Sequence, residues 1–289
     1  MSGQLLGLLI GPFEAFGFMR VALVASFALA LSNGPVGTLL LMRRESLNGN
    51  VLSHAVMPGA ALGFLYAGYS WAALSFGGLL TGLVVAGLAA FKTRSEPQRQ
   101  DVSLIAFYLV SLSFGILIVA ARGSQADLMH VLFGTVLAVD VNALLLIAGM
   151  TSITLLIIAA LYRPLAVESF DPSFLRAVGG GGSIFRAIFI TLVVLNLVAS
   201  FQAFGTLLAI GPMLLPAAAA RCWTQKVWPM IALATAIGMA AALAGLLISY
   251  YANLPSGPAI VMGAGLIYGI SLLGAGRMRF EPRISEEQR

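Results

Sequence analysis

Apolar runs of membrane-spanning length follow one another along almost the whole chain, broken by short stretches rich in glycine, proline and charge. A hydrocarbon core about 30 Å thick takes about 20 residues of helix. On that criterion the pattern predicts spans over 16–41, 52–68, 71–91, 102–121, 141–161, 184–201, 205–220, 227–250 and 258–276. The run at 205–220 is short and holds Gly211, Pro212 and Pro216, so it reads either as a full crossing or as half of a broken helix. The expectation is an all-α integral membrane protein, a polytopic bundle of eight to nine transmembrane helices. It forms one domain over 1–289, with a helical core at 16–276 and a polar tail at 277–289.

Composition agrees with the pattern. Hydrophobic residues make up 60% of the 289 and charged residues only 9%, against roughly 25% charged in soluble domains. The first run, from Phe16, is followed by no small-residue cleavage site and reads as a retained span, not a signal peptide. The net charge of +5 could suggest nucleic acid, but the bases do not form a stripe with interleaved aromatics. They sit in the short loops instead. Arg43 and Arg44, Lys92, Arg94 and Arg99, Arg163 and Arg176, Arg221 and Lys226, and Arg277, Arg279, Arg283 and Arg289 fall on one side if nine spans alternate. That is 13 of the 16 bases, with Arg122 and Arg20 opposite and Arg186 at a helix edge. The bias favours nine spans, the N-terminus outside and the C-terminus in the cytoplasm.

Candidate chemistry is sparse. Cys222 is the single cysteine, which excludes a disulfide framework and a thiolate metal cluster. His54, one of two histidines, opens an apolar run in NGNVLSHAVMPG. On a helix it shares a face with Asn50, while Met57 and Pro58 stand on the next turn. Asn50, Ser53 and His54 offer an amide oxygen, a hydroxyl and an imidazole nitrogen, a donor set suited to zinc, manganese or iron. The plainer reading is a packing histidine bonded to a neighbouring helix. Ionisable groups at membrane depth are costly, about 2.5–3.5 kcal/mol when charged, and functional by default. That cost favours a metal path past His54, Asn50, Ser53 and Met57.

His130, with Asp127 three residues before it, precedes the fifth span and reads first as an interfacial histidine. The pair is also a candidate metal entry on the outer side. The GGGGS run at 179–183 lacks the Lys-Ser/Thr and the preceding strand of a phosphate loop, so it reads as a turn. Without a phosphate loop, ATP-driven work needs a separate ATPase. GTLL leads to PGAA over 37–61 and again to PAAA over 205–219, a loose echo that a Leu- and Ala-rich chain produces by chance.

SLNGNVLSHAVMPGAALGF resembles the signature of permease subunits of bacterial ATP-binding-cassette importers for zinc, manganese and iron, where G-D-x-x-S-H-A is usual. LMHVLFGTVLAVD, RPLAVESFDPSFLRAVG, GTLLAIGPMLLPAAAAR and YYANLPSGPAIVM agree with the same family in order, so the likeness runs from about residue 16 to 275. The resemblance implies a type II importer-like permease in the bacterial inner membrane that forms a homodimer and docks cytoplasmic ATPase subunits. It also implies that an extracytoplasmic metal-binding protein delivers the ion. No cofactor is expected to be tightly bound, ATP belongs to the partner subunit, and the lipid bilayer is the surrounding. By the same resemblance the family's path-lining Asp and His map onto Asn50 and His54. PAAAAR maps onto the ATPase-contacting region, which assigns coupling to Pro216, Ala217, Ala218, Ala219, Ala220, Arg221 and Thr224. Asn50 departs from the pattern, and Asn253 likewise stands where the family often has an acid. Losing a carboxylate weakens attraction for hard cations and favours zinc over manganese. A gradient-driven secondary metal transporter is the alternative, weakened by the near absence of carboxylates in the predicted spans. An intramembrane hydrolase finds no matching residues.

Overall fold

The computed structural model describes residues 10–43, 45–68, 70–92, 110, 113–117, 134, 136–170, 182–205 and 208–279. Eight long helices occur among them: α1 (Gly17–Met42), α2 (Ser46–Ala67), α3 (Trp71–Lys92), α4 (Val141–Phe170), α5 (Gly182–Phe204), α6 (Gly211–Trp223), α7 (Val227–Ala252) and α8 (Ser256–Arg279). One 3₁₀ turn, Val136–Ala138, precedes α4. The described residues contain no strand.

Among the described residues five helical stretches are long and apolar enough to cross a membrane: Gly17–Met42, Val141–Phe170, Ile184–Phe204, Val227–Ala252 and Ser256–Gly274. Helices α2 and α3 carry shorter apolar stretches, Val51–Ala67 and Trp71–Gly87. The expected span at 102–121 lies largely outside the described residues, of which 113–117 are helical. Helix α8 continues to Arg279, past the predicted end of the core at 276.

Three features position the site. The first is close backbone packing between α2 and α3. A Cβ placed on Gly59 would lie 2.0 Å from the carbonyl oxygen of Gly77, and one on Gly77 would lie 2.1 Å from that of Gly59. Without an aqueous driving force between helices, small residues let backbones approach and dispersion hold them.

The second feature is α5, whose amides and hydroxyls bond outward in three directions. Asn33 of α1 donates its Nδ2 to Ser200 Oγ at 3.1 Å, Asn196 Nδ2 donates to Thr154 Oγ1 of α4 at 3.0 Å, and Gln202 donates to Ser75 of α3. All six residues are buried, so these bonds satisfy polar groups that lipid could not.

The third is the departure of α4 and α6 from the predicted spans. The apolar signal of α4 ends at 161, where the structure has its kink: Leu161 has φ −110° and ψ 19°, and Pro164 follows. Proline removes one helical bond and crowds the preceding turn. The helix nevertheless continues to Phe170, because Leu165, Glu168 and Ser169 are buried there. Helix α6 has 13 residues with Pro212 in its first turn and Pro216 inside. At 1.5 Å per residue it is about 20 Å long, shorter than the hydrocarbon core. The run read as 205–220 is thus a short helix preceded by a turn at 208–210.

Candidate functional site

Every residue from Val51 to Ala61 is buried. A helix enclosed on all sides can carry a polar residue at membrane depth, and α2 carries two: Ser53, 2% exposed, and His54, 4% exposed. Met57 is fully buried with Ala60, Leu74 of α3 and Phe201 of α5, and Phe64 and Ile116 pack around them. Residue 115 approaches so closely that a Cβ on Gly115 would lie 2.9 Å from Met57 Cγ. His54 and Pro58 are four residues apart and overlie one another, about 40° apart around the helix. Pro58 has no N–H, so it cannot give the usual helical hydrogen bond to the His54 carbonyl.

The structure therefore brings His54, Ser53 and Met57 together in one enclosed stretch. Asn50 lies four residues before His54 on the same helix, and its side chain is outside the described set. Asp127 and His130 also lie outside the described residues. Among the described residues no group of three or more His, Cys, Asp and Glu side chains could hold a metal ion.

In α6 the predicted coupling residues divide. Ala217 and Ala220 pack with Met230 and Ala234 of α7, and against Leu41 and Met42 of α1. Pro216 and Ala219 are buried too, while Ala218 and Thr224 are half-buried. Only Arg221 of the seven is exposed, and its guanidinium donates to the carbonyl of Leu41 at 3.2 Å. The alanines hold α6 to α1 and α7. What α6 offers an outside partner is Arg221, the half-exposed Trp223 and, just beyond, Gln225 and Lys226. Trp223 was not singled out in the sequence, although an aromatic beside bases at a helix end is an interfacial signal.

The same end of the bundle holds a charge cluster that the sequence did not indicate. Arg43, just past α1, pairs with Glu168 in the tail of α4, and both side chains are almost fully enclosed, at 5% and 6% exposure. Its Nε donates to Ser169 Oγ at 2.9 Å, and its guanidinium lies 3.8 Å over the ring centre of Phe189 in α5. Beside it Arg186 pairs with Glu45 at 3.0 Å. Burial draws the pKa of Arg43 below its ordinary value, and Glu168 opposes that shift most. Arginine remains charged across such shifts.

A small cavity lies elsewhere, between α1, α6, α7 and α8, lined by Ser26, Asn33, Pro212, Pro216 and Ala264 among others. It does not include His54.

The family described as the ABC 3 transport family matches residues 15–275. The manganese import system permease protein ScaB of Streptococcus parasanguinis is 30% identical over 272 residues, covering 93% of this chain and 95% of its own. The manganese transport system membrane protein MntC of Listeria innocua is 30% identical over 262 residues, covering 90% and 91%. Among solved structures, PsaBC from Streptococcus pneumoniae in complex with Fab superposes with a TM-score of 0.86 at 28% identity, over 97% of this chain and 98% of that one. An inward-facing metal-chelate type ABC transporter shares the fold at TM-score 0.66 and 16% identity.

Proposed function

Since the chain belongs to the ABC 3 transport family and is the permease subunit of a metal importer, we propose that it passes manganese across the bacterial cell membrane along His54. The observation that carries this reading is the enclosure of His54 and Ser53 in the middle of α2. A histidine that served only the lipid-facing surface would not lie in a stretch of α2 buried from Val51 to Ala61.

Manganese takes the place of zinc. The absence of a carboxylate at Asn50 argued for zinc, but ScaB and MntC are both named for manganese, which leaves zinc without support. Imidazole accepts either metal, and the amide and hydroxyl oxygens of Asn50 and Ser53 suit the harder ion better. Iron would meet the same donors.

Work is supplied by a separate ATPase subunit that docks against the exposed end of α6, and a metal-binding protein outside the membrane delivers the ion. Two copies of the chain pair around the path, and ATP-driven rocking of the halves alternates access. The N-terminus lies outside and the C-terminus in the cytoplasm, a placement supported by Arg43, Arg186 and Arg221 standing at one end of the bundle. A gradient-driven mechanism would want proton-carrying carboxylates in the helices. Among the described residues the buried carboxylate is Glu168, and it is paired with Arg43.

The test is manganese uptake into vesicles holding this chain, its ATPase and its metal-binding protein. Uptake is expected to require ATP, to survive dissipation of ion gradients, and to fall at least about tenfold in His54→Ala, since removing even an outer partner of a metal ligand costs about 10–100-fold. Uptake that persists without the ATPase refutes the reading.

A further inference from the structure

The charge cluster beside α1 lies between the exposed end of α6 and the start of the helix that carries His54. Arg221 of α6 bonds the carbonyl of Leu41. Two residues later Arg43 is held by Glu168, Ser169 and Phe189, and Glu45 by Arg186. One residue later α2 begins, its Gly49 N–H bonded to the carbonyl of Glu45 at 3.1 Å. His54 follows within the next two turns. Helices α1 and α2 touch little beyond this turn, since α2 rests mainly on α3 and α5. Arg43 and Glu45 thus tie the start of α2 to α4 and α5, beside the close approach of Gly49 to Leu40 and Ile210.

We propose that Arg43 and Glu168 are positioning residues for metal passage. Their buried pair sets where α2 begins, and so where His54 stands, and it transmits movement of α6, through Arg221 and Leu41, to that helix. A base needed only to orient the chain in the membrane would stay in water. Arg43 is instead enclosed, stacked on an aromatic ring, paired through one guanidinium nitrogen with Glu168 and bonded through its Nε to Ser169, contacts that hold a guanidinium in one geometry. Glu168 is reached only because α4 continues past its kink, so the kinked tail has a use that its apolar neighbours do not explain.

The proposal rests on the permease reading above, and its test separates the two. Deleting one charge would strand the other in a buried site and unfold the region, whereas replacing both with apolar residues of similar size is often neutral or stabilising. The decisive variant is therefore Arg43→Met with Glu168→Leu, assembled with the ATPase and the metal-binding protein in vesicles. It is expected to melt near the parent and to hydrolyse ATP. Its manganese transported per ATP is expected to fall about tenfold, within the range of coupling between sites, with a raised half-saturating manganese concentration. A double variant that transports at the parental ratio assigns the pair a structural role and overturns the proposal. So does uptake that falls only in proportion to ATP hydrolysis. Should the double variant fail to assemble, Arg43→Lys keeps the charge without the planar fork, and the same two readouts decide. If the parent itself shows no ATP-dependent uptake, it is the permease reading that fails.

Discussion

Substituting Gly59 by alanine tests the α2–α3 packing that encloses His54. The added Cβ would lie 2.0 Å from the Gly77 carbonyl oxygen, 2.6 Å from its carbon and 2.2 Å from Thr81 Oγ1. An ordinary carbon–oxygen contact is about 3.3 Å, so the helices must separate by about 1.3 Å at this point. Thr81 can rotate away, but the Gly77 carbonyl is backbone and already accepts from Thr81 Oγ1 at 3.1 Å. Overpacking of this kind costs about 1–3 kcal/mol, and the upper half of that range is expected because the obstacle is rigid. Gly87→Ala is the control on the same hairpin, since nothing lies within 4 Å of its added Cβ. There alanine should gain about 0.5–1 kcal/mol through the helix backbone. Thermal unfolding of the purified protein reads both, at about 2–4 °C per kcal/mol for chains approaching this size. Gly59→Ala is expected to melt several degrees lower and to lose manganese uptake, because α2 is displaced five residues from His54. A Gly59→Ala protein that melts at or above the parent and transports normally would refute the contact.

Asn50→Asp restores a charge beside His54; half-saturating manganese should fall and the maximal rate should fall with it, because a tighter transit site releases more slowly. Uptake kinetics unchanged in both would remove Asn50 from the path. Asn196→Leu breaks the bond to Thr154 at 3.0 Å, yet Thr154 keeps its bond to the Met150 carbonyl at 2.9 Å. A small loss, about 0.6 and at most about 1.7 kcal/mol, is expected in thermal unfolding. Gly68→Ala meets no atom but has φ +63° and ψ −150°, a region almost confined to glycine, so a cost of about 1–3 kcal/mol is expected from backbone strain alone.

What was legible in the chain follows the physics of each element. Spans 16–41, 71–91, 184–201, 227–250 and 258–276 recur as α1, α3, α5, α7 and α8 within a few residues, because lipid demands a continuous apolar helix. The buried His54 was legible for the same reason, as an imidazole that the surroundings had to accommodate. The continuation of α4 past Leu161 was not, since its last nine residues are held by burial of Leu165 and by the pairing of Glu168 with distant Arg43, not by a continuous apolar run. Arg43 and Glu168 stand 125 positions apart in the chain, and nothing local in either segment names the other. Glu168 inside AVESF was the available hint: an acid in an apolar helical stretch needs a cation. The alanines of α6 were legible as small residues but not by direction, and the structure turns them inward to α1 and α7.

The enclosure of α2 has a consequence for how the protein is made. Its neighbours α3 and α5 leave the ribosome after it, and α5 follows only after α3 and α4 have been built. Until then the flank of α2 that carries Met57 and Ala60 lacks Phe201 of α5 against it. The glycine faces of α2 and α3, by contrast, are adjacent in the chain and can close at once. The two helices are thus suited to enter the membrane together, as a hairpin whose enclosure is completed only when the later helix α5 docks against it.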